Sequence, residues 1–304
     1  MGTRLKDIQV TQVVDGDTIE VQIDERQEFV RLICVDTEES TLHPAPETAK
    51  PVTEAGLAAA KLAQDYFMQA NGDLCQVDLE FDTDDSPSAC LDLHRGNCSR
   101  LVCYVHRGDS HYNLHLIDRG WSPYFTKYGR SRLYDRAFVT AEFYAQAYQR
   151  GIWNPHANEH TASRNYGSLT AWWALRASAI EDFRKIGHAS GALSVQLDYA
   201  EILKAIETER EIIVFCDLQG GIRKRAEGGI IVFTGSRLFP MKFWVPTASS
   251  PQGQMLVRSI VTRYAGRGRG YAYVCGRVTM HRGIPQMVLR ELSQLSDIPQ
   301  TLQS

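Results

Sequence analysis

The chain lacks any stretch close to the roughly 20 consecutive apolar residues that span a bilayer. Its most apolar runs, Ile212–Cys216 and Gly229–Phe233, have the length of single strands. An integral helical membrane protein is excluded, and no membrane partner is expected. The opening residues, Met1-Gly2-Thr3-Arg4-Leu5-Lys6-Asp7, lack the apolar core of a secretory leader, so a cytoplasmic setting is expected. Cysteine pairs at metal-binding spacing are also missing. The seven cysteines (Cys34, Cys75, Cys90, Cys98, Cys103, Cys216 and Cys275) include no C-x-x-C, and their odd number leaves a thiol over in any fully oxidised framework. Free thiols in a reducing compartment are the consistent reading, with Cys90 and Cys98 the least buried. Net charge is nearly absent: 33 Lys+Arg against 36 Asp+Glu leaves -3, which at first argues against a polyanionic partner.

A chain of 304 residues with 43% hydrophobic and 23% charged residues has the length for about two domains and the composition of an ordinary folded protein. Its charge is unevenly spread. Residues 1–190 hold 19 Lys+Arg and 27 Asp+Glu, a net of -8, whereas residues 191–304 hold 14 and 9, a net of +5. Two modules with different roles are expected.

From Ile8 to Val35, apolar and polar residues alternate around turns at Asp15-Gly16-Asp17 and Asp24–Gln27, which predicts an antiparallel meander. Three prolines between Thr41 and Val52 predict a loop, and Thr53 caps a helix reaching Met68. Strands are expected at Cys75–Phe81 and Arg100–Val105 around an acidic, solvated loop over Asp82–Ser99. Helices are expected at Asn113–Arg119 and Arg132–Arg150. This order is that of an OB-type barrel with packed helices. Helices at Leu169–Ile186 and Ala200–Ile206 follow. Five strands come next, Ile212–Cys216, Gly229–Phe233, Lys242–Val245, Tyr271–Val278 and Gln286–Leu289, with a helix at Met255–Tyr264 after the third, the OB order again. The expected fold class is mainly β with helices (α+β): residues 1–155 form a first barrel, 156–206 a helical linker and 207–304 a second barrel.

Three segments carry chemistry: Asp15-Gly16-Asp17-Thr18, Arg31 to Glu39, and Arg100-Leu101-Val102-Cys103-Tyr104-Val105. Asp17 opens one strand and Asp36 follows the strand that pairs with it, so a hairpin brings both carboxylates to one end of a sheet. Such hard oxygen donors suit Ca²⁺ or Mg²⁺ (Mn²⁺ is a further option) rather than zinc. Arg31 on the same strand would grip a phosphodiester and stabilise charge developing on its oxygens. Glu39 would orient or deprotonate a water. Together they make a working set for phosphodiester hydrolysis.

These segments resemble the staphylococcal nuclease family. The resemblance runs from Ile8 to Trp153 and rests on Val13-Val14-Asp15-Gly16-Asp17-Thr18, the fourteen-residue step from Asp17 to Arg31, and Arg31-Leu32-x-x-Val35-Asp36-Thr37-x-Glu39. Arg100-x-Val102-Cys103-Tyr104-Val105, Asn113-Leu114 through Arg119-Gly120, and Gly151-Ile152-Trp153 complete it. It implies an OB barrel with three helices. It also implies Ca²⁺ on Asp17, Asp36 and the Thr37 carbonyl, with Asp15 behind them and Arg31 and Arg100 on the scissile phosphate. Glu39 would act on the attacking water, and the products would carry 3′-phosphate and 5′-hydroxyl ends. Tyr124 and Tyr128 lie where the family places base-contacting tyrosines. Two departures stand out: Glu38 replaces the proline usual before the catalytic Glu, and Asn97-Cys98-Ser99 replaces the usual Lys/Tyr-Gly run before the second arginine.

In the second half, Arg263, Arg267, Arg269, Arg277 and Arg282 alternate with Tyr264, Tyr271, Tyr273 and His281, and Arg223-Lys224-Arg225 sits in a Gly-rich loop. Cationic groups interleaved with rings suit single-stranded nucleic acid, whose phosphates follow the charge and whose bases stack. A nuclease acting on single-stranded DNA is therefore expected, with a homodimer as an option. The alternatives are a non-catalytic nucleic-acid-binding module and an RNA-preferring nuclease.

Overall fold

The computed structural model describes residues 1–41, 51–225 and 228–300; most of the expected proline loop over Thr41–Val52 falls outside them. Contacts divide the chain into one unit of Met1–Gly96, Arg100–Thr126 and Arg130–Thr170, and another of Asn97–Ser99, Lys127–Gly129 and Ala171–Ser304.

In the first unit, β1 (Arg4–Asp15), β2 (Thr18–Ile23) and β3 (Arg26–Leu32) form the meander. Alternation places Ile19, Val21 and Ile23 on the buried face, as a strand's period of two requires. There follow α1 (Glu54–Phe67), β4 (Gln76–Glu80), α2 (Pro87–Leu93), β5 (Leu101–Arg107), β6 (Ser110–His111), α3 (Tyr112–Asp118) and α4 (Asp135–Ala147). The strands pair in the order β3-β2-β1-β4-β5-β6, and a parallel β3–β5 pairing closes the first five into a barrel. Its interior is filled by Val10, Val30, Leu79, Leu101 and Val105, with Phe67 of α1 and Leu116 of α3 packed in.

The solvated loop expected over Asp82–Ser99 is corrected in two ways. Ser86 caps α2 by accepting from the Ala89 N–H at 3.3 Å with Pro87 in the first turn, a cap-plus-proline signal that local reading passes over. The Asp82 carboxylate points inward, accepting from the Arg132 and Leu133 N–H groups and the Tyr104 hydroxyl. Cys90, expected to be among the less buried thiols, is fully buried, while Cys98 is exposed.

The side chain of Glu80 is wholly buried and accepts from Arg4, His106, Tyr134 and the Gly2 N–H. Burial disfavours its charge, but the hydrogen bonds from Tyr134, Arg4 and Gly2 outweigh it and hold the carboxyl at about 2. Burial and then the neighbouring His106 push His111 down to about 3. Burial and then Arg4 lower His106. All three groups bind fewer protons folded than unfolded, so their contribution is complete above about pH 6.5 and is lost as pH falls, first through the histidines and below about 4.5 through Glu80 as well. The urea midpoint should fall steadily from pH 7 to pH 4; a flat profile would contradict this account.

The second unit takes in most of α5 (Tyr166–Asp182). It continues with β7 (Leu193–Ser194), α6 (Tyr199–Glu207), β8 (Glu211–Asp217), β9 (Ile222–Lys224), β10 (Ile230–Gly235), β11 (Pro240–Val245), α7 (Pro251–Ser259), β12 (Tyr271–His281), β13 (Ile284–Val288) and β14 (Leu295–Ser296). The sheet order is β7-β8-β12-β13-β11-β10-β9, with β14 on β12 and β11–β13 parallel. If β8, β10, β11, β12 and β13 are matched to β1 through β5, four of the barrel's five pairings recur. The fifth, β8–β10, does not form among the described residues. The expected second barrel is therefore not closed among the described residues. Residues 230–232 pair with β9 on one edge and β11 on the other, so β10 has no edge left there for β8.

Candidate active site

The turn from β1 to β2 and the end of β3 meet at one rim of the first barrel. Thr18 pairs with Arg31, and Arg31 pairs with Val102 of β5, which brings Arg100 to the same rim. Past β3 the chain turns through Cys34 in a left-handed conformation (φ 63°), and Asp36 returns against Arg31. The Arg31 Nη2 lies 3.0 Å from Asp17 Oδ2 and 2.8 Å from Asp36 Oδ1, while its Nη1 donates to the Val35 carbonyl at 2.9 Å. Asp17 Oδ2 also accepts from the Thr37 N–H at 2.9 Å. Arg100 donates to the Thr18 hydroxyl at 3.4 Å. Behind them, Asp15 accepts from the Gly16 N–H; burial first and the Asp17 charge second raise its pKa.

Glu39 is positioned by α1. Its carbonyl accepts from the Thr53 N–H at 3.2 Å, and a Cβ on Gly56 would lie 2.0 Å from that oxygen, so only glycine permits this approach. Asp15, Asp17, Arg31, Asp36, Thr37, Glu39 and Arg100, expected together from the sequence, thus converge on one rim.

Three residues escaped the sequence reading, which left them in the linker over 156–206. Arg164 Nη1 donates to Asp36 Oδ2 at 2.8 Å, and its Nη2 donates to the Thr37 carbonyl at 3.0 Å and lies 3.8 Å from Glu39 Oε1. Burial opposes the Arg164 charge, but Asp36, Tyr166, Glu38 and Glu39 together outweigh it, and the Arg164 pKa is raised. Glu38, where the family has proline, is buried; it accepts from Asn158 Nδ2 at 2.8 Å and the Tyr166 hydroxyl at 2.7 Å. The departure at Glu38 was the available signal, because an acid so close to the site needs partners.

Asp17, Asp36 and the Thr37 carbonyl are chemically suited to a hard cation. As folded, though, their oxygens are held by Arg31, Arg164 and the Thr37 N–H. Among the described residues no group of three or more His, Cys, Asp or Glu is disposed to hold a metal. The residues in this arrangement do not fit a divalent ion.

Other expected positions fare unevenly. Tyr124 is buried, its hydroxyl donating to Asp135 and accepting from the Ser131 N–H, so no ring face is open to a base; Tyr128 is exposed. In the second unit, Tyr273 is fully buried, and Tyr271 stacks on Phe215 at 5.1 Å with the Arg176 guanidinium 4.7 Å from its ring centroid. These tyrosines pack the fold and offer no platform for bases. Arg263, Arg269 and the Tyr264 hydroxyl converge on Asp297. Arg223, Lys224, Arg225, Arg267 and Arg282 are exposed, with Arg223 over the Phe233 ring. Lys242 is buried and donates to the His281 carbonyl at 2.9 Å; burial, and then the charges of Arg282 and Arg225, lower its pKa.

No protein-family profile matches the chain. Over 114 residues it is 32% identical to the thermonuclease of Staphylococcus intermedius, a match covering 36% of this chain and 55% of that protein. The chain thus spans about half the length of the curated relative it matches. Together with the closed five-stranded barrel, the similarity makes the first unit a nuclease-like barrel.

Proposed function

We propose that the protein is a nuclease that hydrolyses phosphodiester bonds at the rim of the first barrel. The observation that carries this reading is the convergence of Arg31, Arg100 and Glu39 with Asp17 and Asp36 on one rim of a thermonuclease-like barrel. Arg31 and Arg100 hold the phosphate and balance charge developing on its oxygens. Glu39 orients a water and takes its proton as the oxygen attacks phosphorus; the bond from phosphorus to the 5′ oxygen breaks and that oxygen takes a proton from solvent water, leaving 3′-phosphate and 5′-hydroxyl ends. Single-stranded DNA is the favoured substrate, because the Arg31 side chain, flanked by Asp17 and Asp36, is only 18% exposed, and a flexible strand adapts to a partly covered group more easily than a rigid duplex.

Arg225 and Arg282 of the second unit, both exposed, supply additional grip on phosphates. Gathering like charges is costly without an anion, and a polyanion relieves it. An Arg225→Ala/Arg282→Ala double variant should bind oligonucleotide more weakly at every sequence, with a salt-dependence slope lower by about 2. An unchanged slope removes the second unit from substrate binding.

The enzymatic reading is tested with end-labelled single- and double-stranded DNA and RNA in Ca²⁺, Mg²⁺, Mn²⁺ or chelator. Cleavage of single-stranded DNA should be fastest. No cleavage of any substrate under any condition would instead make the protein a non-catalytic nucleic-acid-binding module.

A further inference from the structure

The segment carrying Arg164 is anchored on both sides of it. Asn158 Oδ1 accepts from the Ala55 N–H in the first turn of α1 at 2.8 Å, and the Thr161 hydroxyl accepts from the Glu54 N–H at 3.2 Å. On the other side, the Tyr166 hydroxyl donates to Glu38, the acid that Asn158 also holds. The Arg164 side chain, 17% exposed, is thus delivered to two of the oxygens, Asp36 Oδ2 and the Thr37 carbonyl, that the family resemblance assigns to a metal.

We propose that the Arg164 guanidinium is a resident cation standing in for a divalent metal at the Asp36–Thr37 oxygen pair, so that a divalent ion binds there only by displacing it. The inference rests on reading this rim as a phosphodiesterase site. A hard ion such as Ca²⁺ needs six to eight oxygens at about 2.3–2.6 Å, directed by the same lone pairs that receive the two N–H groups. Guanidinium and metal cannot share them. The carboxylates Asp15, Asp17, Asp36, Glu38 and Glu39 outnumber Arg31, Arg100 and Arg164. Removing the Arg164 guanidinium therefore takes a competitor off two donor oxygens and makes the rim more negative, both of which favour a divalent cation. Glu38 in place of proline is explained as part of this device: a buried acid ties down the segment that bears the internal cation.

The test is calorimetric titration of the full chain with Ca²⁺ alone, comparing wild type, Arg164→Gln and Arg164→Lys. Arg164→Gln should bind Ca²⁺ at least tenfold more tightly than wild type. Arg164→Lys, which keeps the charge but loses the two-pronged donor, should fall between them. A folded Arg164→Gln protein with wild-type Ca²⁺ affinity overturns the proposal. If that variant does not fold, Arg164→Lys decides alone: threefold tighter binding supports displacement, and unchanged binding overturns it. Because the readout is metal affinity, tighter Ca²⁺ binding by Arg164→Gln leaves this inference standing even where the wild-type protein cuts no nucleic acid, the separate outcome that refutes the nuclease reading.

Discussion

Arg31→Ala should lower the rate of phosphodiester cleavage by about 10²–10³-fold, the usual effect of removing one preorganised donor aimed at developing negative charge. Its guanidinium is fixed before substrate arrives, by Asp17 at 3.0 Å, Asp36 at 2.8 Å and the Val35 carbonyl at 2.9 Å. A charge held in this way needs no reorganisation during the reaction. The substitution also leaves Asp17 and Asp36 without their shared counter-charge, so a fall in stability must be separated from a fall in chemistry. Arg31→Lys does so, because it retains a positive charge beside both acids but loses the planar fork. It should recover most of the thermal stability while remaining at least tenfold slower than wild type. A folded Arg31→Ala protein that cuts within about threefold of wild type would remove Arg31 from the proposed mechanism.

The second large effect concerns folding. Arg176 is completely buried in the second unit. Its Nη2 donates to Asp217 at 2.6 Å and its Nε to the Lys127 carbonyl at 3.2 Å, with the Tyr271 ring against the guanidinium. Arg176→Ala leaves a cavity and strips partners from Asp217 and Lys127, and it should cost about 3–5 kcal/mol. In a unit of this size that lowers the unfolding midpoint by roughly 10 °C or more. Gly270 shares the site: at φ 78°, a Cβ there would lie 1.8 Å from the Arg176 Nη1. Arg176→Met, which fills the space without a charge, should restore part of the loss. A midpoint for Arg176→Ala within 2 °C of wild type would show that the buried guanidinium does not hold this unit together.

The legible part of the first unit was local in origin. The Asp15-Gly16-Asp17 turn joins β1 to β2, and the two-residue period of β2 sets its pairing with β3, which together place Asp17 beside Arg31. The short run from Arg31 to Glu39 then carries Asp36 and Thr37 back to the same rim. What could not be read depends on partners far along the chain. Glu38 meets Asn158 and Tyr166 across separations of 120 and 128 residues, and Arg164 meets Asp36 across 128. No periodicity or spacing reports such a meeting. In the second unit the alternation of basic residues with tyrosines was real in the sequence, yet a tyrosine facing a base and one facing a core look alike there. Burial of Tyr273 and the stacking of Tyr271 were settled by which face of β12 packs against Phe183 and Phe215.

By itself, the sequence determined that the -3 net charge is the sum of an acidic and a basic half, that the first half opens with an antiparallel meander, and that Asp17, Arg31 and Asp36 come to one end of its sheet. These follow from composition, strand period and short-range turns. Only the tertiary structure decided that β9 occupies the edge of β10 that would have closed a second barrel, and that Arg164 takes up oxygens read as metal ligands. Both outcomes are competitions for one set of hydrogen-bonding groups, and the winner is set by which distant segment the folded chain brings within about 3 Å.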